Sequence, residues 1–127
     1  MTNPDISEGT PEPLPSQQEV VKQFAGHYAD RILYRKLSEY GNLTDDQYTR
    51  MKVNEQDIYE LTLQTLPRLQ SGELDGITLV ESPASEHFHI VLPGGRIKLS
   101  MSTPRIEKEF PGLRELIIPW KPTPPTI

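Results

Sequence analysis

Apolar positions recur with a helical period through the first half of the chain and alternate through the second, so two structural regimes meet near residue 70. Ser16-Gln17-Gln18-Glu19 has the form of a capping box, in which the serine hydroxyl accepts from the backbone three residues on. Val21, Phe24, Tyr28 and Ile32 then keep helical spacing, and Leu33, Leu37 and Tyr40 continue on a shifted stripe up to Gly41. The pattern predicts a helix ended at Gly41 by a left-handed residue. A second box, Thr44-Asp45-Asp46-Gln47, opens another helix that should run to Leu66, where Pro67 follows. Two long helices joined by a few residues fold back on each other as an antiparallel αα-hairpin. Apolar spacing falters between Val53 and Asp57, and Asn54 could cap a new helix, which leaves open a reading with helices near 17–40, 45–52 and 54–66.

Beyond Ile77 the period becomes two. Phe88, Ile90 and Leu92 share one face of a strand and Ile97, Leu99 and Met101 one face of the next, with Pro93-Gly94-Gly95 as the turn between them. Ile77–Glu81 reads as a preceding strand, Pro104–Phe110 as a short helix ended by Pro111-Gly112, and Leu113–Ile118 as a fourth strand. The fold class expected is α+β: an N-terminal antiparallel αα-hairpin packed on one face of a small antiparallel β-meander of three or four strands.

Of the 13 prolines, four lie in residues 1–15 and four in the last nine, and none from Ser16 to Leu66, which marks out where long helices can form. The organisation expected is a disordered acidic tail at 1–15, one domain at 16–121 and an extended proline-rich tail at 122–127. The overlapping Pro-x-x-Pro registers at 119–122 and 122–125 lack a well-placed basic residue, because Lys121 sits inside the first.

A chain of 127 residues with 35% apolar content suits one domain with a modest core. The absence of an apolar run of about 18 residues or of a signal-like N-terminus points to the cytoplasm and away from a membrane. With no cysteine there is no disulfide, thiol nucleophile or thiolate metal site. The net charge of -5 is uneven: residues 1–95 carry a balance of -8 and residues 96–127 one of +3. The three-helix reading would give the element order of a winged helix, a small nucleic-acid-associated regulator. Its recognition helix, Asn54-Glu55-Gln56-Asp57-Ile58-Tyr59-Glu60, carries three carboxylates and no lysine or arginine, the wrong sign for phosphate, so nucleic acid is disfavoured.

His87-x-His89 is the most suggestive pair for chemistry, since alternate strand residues point to one side and two imidazoles can share a metal. A metal-dependent enzyme built on His87 and His89 is therefore a third reading, but the one other histidine is His27 in the helical half, and no nucleophile elbow or phosphate loop is present. The chain is read as a non-enzyme without cofactor or metal. Its expected function is non-catalytic protein–protein interaction, as an assembly subunit, with either another protein or a second copy as partner.

The binding residues nominated are His87, His89, Arg96 and Lys98 on the outer sheet face, where imidazoles and the basic surplus converge, and Tyr34 on a helix face away from Val21, Phe24 and Tyr28. Val20 joins Tyr34 on that second side. Arg31 or Arg35 should come opposite Glu55 and pair with it. Residues 2–14 should exchange their amides rapidly in the isolated molecule, since little in them can be buried; slow exchange by NMR or mass spectrometry would contradict the tail assignment.

Overall fold

The computed structural model describes residues 15–83 and 86–119, so apart from Pro15 the tail assignments at 1–15 and 122–127 lie outside the described residues. Helix α1 spans Gln17–Tyr40 and helix α2 spans Asp45–Gln70. The Ser16 hydroxyl accepts from Glu19 N at 3.1 Å, and both halves of the Thr44/Gln47 capping box form. The link between the helices brings α1 and α2 into lateral contact as a hairpin.

Three details of the helical half differ from the sequence reading. Gly41 has φ 163° and ψ -172°, which is extended backbone, so α1 ends by leading straight into the next cap. Helix α2 passes through Asn54 without interruption, and the three-helix order is not formed. Asn54 is buried, and its side-chain amide donates to the His27 carbonyl at 3.1 Å, so a residue that resembled a cap is a rivet between the two helices. Pro67 sits inside α2, not after it. The final turn is held instead by Leu66 in the core and by Arg68, which reaches Glu73 at 2.7 Å.

Strands β1 (Thr78–Glu81), β2 (His87–Val91) and β3 (Lys98–Ser102) form the antiparallel meander. Helix α3 (Thr103–Glu109) follows, then a helical turn α4 (Leu113–Leu116) and the two-residue strand β4 (Ile117–Ile118). Most of the segment read as a fourth strand is thus helical. The turn at Pro111-Gly112 feeds Leu113 into the core, fully buried, and only Ile117 and Ile118 remain to pair, in parallel with β1. The sheet order is β3-β2-β1-β4, an α+β fold with mostly antiparallel strands and one parallel pair.

The buried residues form one cluster. Phe88, Ile90, Leu92, Leu99 and Met101 face inward as their alternation requires, and Ile58, Leu61 and Leu66 of α2 meet them together with Val20 and Phe24 of α1. Val20 therefore belongs to the core and not to a second surface. Helix α1 lies beside α2 as well as over the sheet, so its buried arc is wider than one stripe and takes in both Val20 and Phe24. Thr62 and Thr65, buried in α2, donate to the carbonyls of Ile58 and Leu61 at 2.7 Å each, leaving no hydroxyl unpaired.

The N-terminus of α1 is tied to the entry of β1 by the Gln17 side-chain carbonyl, which accepts from Asp75 N at 2.9 Å and Gly76 N at 3.2 Å. A Cβ at position 76 would overlap the Gln17 side chain. Gly76→Ala should lower stability by about 1–2 kcal/mol in urea unfolding, and the loss should shrink when Gln17 is already alanine. Equal losses in both backgrounds would show that the tie is not the reason for the glycine.

Candidate functional site

The largest concavity among those described, about 520 Å³, lies between the distal half of the hairpin and the open edge of β3. Arg31, Tyr34, Arg35 and Glu39 come from α1, Met51, Asn54 and Glu55 from α2, and His87, Ser100 and Ser102 from the sheet. Helical spacing of four puts Arg31 and Arg35 on one face, and strand pairing sets His87 opposite Ser102.

The edge explains the position of Arg31. The bonds Leu92 N to Ile97 O and Thr103 N to Glu86 O fix the phase of the β2–β3 ladder, so Leu99 and Met101 bond toward β2 while the backbone groups of Lys98, Ser100 and Ser102 turn outward. Arg31 Nη1 donates to the Ser100 carbonyl at 3.2 Å and caps one of these open acceptors. Burial lowers the Arg31 pKa, Glu55 opposes that shift and Arg35 adds to it.

The expected Arg31 or Arg35 pair with Glu55 does not form. The ion pairs within 4.0 Å among the described residues are Arg50–Asp46, Arg68–Glu73 and Arg114–Glu107. Glu55 still acts on Arg31 through space, but the guanidinium is drawn to a backbone carbonyl of the sheet, a partner that helical spacing cannot reveal.

Of the nominated residues, the groove brings together His87 and Tyr34. Tyr34 also lines a smaller hollow of about 270 Å³ on the other side of the hairpin, with His27, Asp30, Val53 and Asp57. His89, Lys98 and Arg96 stay outside both. Arg96 is exposed beside the β2–β3 turn, and Lys98 is exposed on β3. His89 lies on the sheet face opposite the core, in a cross-strand row that runs Ser100, His89, Val80, Ile118.

Desolvation pulls the His89 pKa below 6.5, with Lys98 and then His87 adding repulsion, and its Nδ1 is buried without a hydrogen-bond partner. Charging this face by acidification is thus opposed at its centre, contrary to the docking of an acidic partner through protonated His89. Among the described residues no three His, Cys, Asp or Glu gather as a metal site, and no helix is long and apolar enough to cross a membrane.

Sequence reasoning missed Ser102 in the groove and Arg31 as an edge cap, and parity with His87 across the register was the available signal for the serine. No protein-family model, curated protein or solved structure matches this chain.

A histidine whose folded pKa is depressed leaves the folded state binding fewer protons than the unfolded chain. Stability contributed by neutral His89 is complete above pH 6.5 and declines as the pH falls below it. Urea midpoints taken between about pH 7.5 and 5 should fall more steeply for the wild type than for His89→Gln. Parallel profiles would remove His89 as the cause.

Proposed function

We propose that this chain is a non-catalytic protein-binding subunit of a larger assembly, acting in the cytoplasm, and that it binds through the distal half of its helical hairpin. The observation that carries this reading is the distribution of uncovered apolar side chains. Of the five large hydrophobic residues that stand exposed among those described, Leu33, Tyr40, Tyr48 and Val53 all belong to the hairpin beyond residue 30, with Tyr40 at 90% exposure. The exception is Ile118, on the short strand β4.

A helical hairpin needs an apolar stripe only where something covers it. From Ala25 to Val53 no residue is buried, yet Leu33, Leu37, Tyr40, Tyr48 and Val53 keep the apolar character of a packed face. Tyrosine in such a position supplies a large contact area with few rotatable bonds, as protein interfaces favour. The groove beside β3 adds hydrogen-bonding groups at the same end of the molecule, which suits a polar rim around an apolar contact.

Replacing Leu33 and Val53 together by aspartate should leave the folded state intact, because both side chains are more than half exposed, and should abolish partner capture by the tagged full-length chain. The pair Arg96→Glu and Lys98→Glu should leave capture unchanged. Loss of the captured protein with the sheet-face pair, and not with the hairpin pair, would transfer the interface to the sheet.

A further inference from the structure

We propose that the partner of helix α1 is a second copy of itself, packed antiparallel across a two-fold axis at Leu33; this rests on the protein-binding reading of the hairpin and names its partner. At 3.6 residues per turn, Gly26, Ala29, Leu33, Leu37 and Tyr40 lie within about 40° of their mean direction, on a side of α1 away from its buried residues Val20 and Phe24. Gly26, Ala29, Leu33 and Tyr40 are exposed and Leu37 is half-buried.

Their intervals of three and four residues are those of a helix-to-helix seam. Their sizes are ordered in a way that a seam for an unrelated helix does not require. Gly26 and Tyr40 stand seven residues either side of Leu33, and Ala29 and Leu37 four residues either side. In an antiparallel pair centred on Leu33, each Tyr40 faces a Gly26, each Leu37 faces an Ala29, and the two Leu33 side chains meet on the axis. Large opposes small at the two levels that flank the axis and leucine meets leucine on it, so the surface is complementary to itself, as an isologous two-fold contact demands.

Gly26 adds an independent reason. A glycine inside a helix weakens it, and among the described residues outside its own turn of helix nothing lies within 4 Å of the Cβ it lacks. No packing contact among those residues accounts for the vacancy. It is the space into which the opposing Tyr40 ring fits, and Tyr40, the most exposed of the large hydrophobic residues, gains cover there. Asp30 and Lys36 flank the seam on opposite sides and remain in water as its polar rim.

From Gly26 to Tyr40 the seam is about 21 Å long, shorter than a stable obligate interface needs, so the pair should be reversible with Kd on the order of 10–100 µM. Sedimentation equilibrium of the full chain from about 5 to 500 µM should therefore show a monomer–dimer equilibrium. Since the chain has no cysteine, the axis can be read directly. Leu33→Cys should form an interchain disulfide at least about tenfold faster under mild oxidation than Val53→Cys, an equally exposed control off the seam. Mixed Gly26→Cys and Tyr40→Cys chains should cross-link to each other in preference to themselves.

Gly26→Leu separates pairing from folding: it should raise the thermal midpoint of the dilute monomer, by removing a helical glycine, while weakening the dimer about tenfold or more. A monomer at every concentration, equal oxidation of the two single-cysteine variants, self-linking of the Gly26→Cys or Tyr40→Cys chains, or a dimer indifferent to Gly26→Leu would each overturn the proposal. A strict monomer that still captures a different protein through the hairpin would overturn the self-pairing alone; one that captures nothing through it would remove the protein-binding reading as well.

Discussion

The constraint on which the rest of the structure depends is a mismatch of lengths. Helices of 24 and 26 residues are about 36–39 Å long, whereas a sheet of four strands is about 14 Å wide and its five-residue strands about 17 Å long. One face of that sheet can cover only part of the hairpin. The covered part is the N-terminal end of α1 and the C-terminal end of α2, where Val20, Phe24, Ile58, Leu61 and Leu66 join the strands in the core. On the distal part Leu33, Tyr40, Tyr48 and Val53 stand exposed among the described residues.

Held at one end by this core, the hairpin passes the open edge of β3. There Arg31 gives a hydrogen bond to an outward carbonyl that would otherwise be available to a foreign strand. The same contact leaves Glu55 without a partner and keeps the concavity between helix and edge lined by groups of both signs. On the opposite face of the sheet Val80 and Ile118 share a cross-strand row with a partly desolvated His89. The described residues thus give one sheet face buried by packing, one edge guarded by a cation and one helical arm with exposed apolar side chains.

How far the sequence carried this picture depends on the range of the interaction involved. The helix starts were legible because Ser16 and Thr44 act on amides three residues away. The inward side of β2 and β3 was legible because a strand alternates and Phe88 through Met101 keep that alternation. Asn54 was misread because its partner, the His27 carbonyl, is 27 residues distant, and its polarity looked like a local cap. Leu113 was misread for the same reason, since an apolar run of that length suits a strand or a buried helical turn equally until the surrounding core selects one.

The sequence by itself determined where the two long helices start, the antiparallel meander and which residues of the strands face inward, all set by interactions within a few residues or by a period of two. It also placed Leu33, Leu37 and Tyr40 on a stripe distinct from that of Val21 and Phe24. Only the tertiary structure decided that Val20 is core, that residues 45–70 form one helix, that Arg31 answers to Ser100 and not to Glu55, and that Leu33 and Tyr40 stand exposed among the described residues. Those outcomes depend on where separate elements come to rest against one another. The length of the sheet relative to the helices, which no local pattern encodes, set that arrangement.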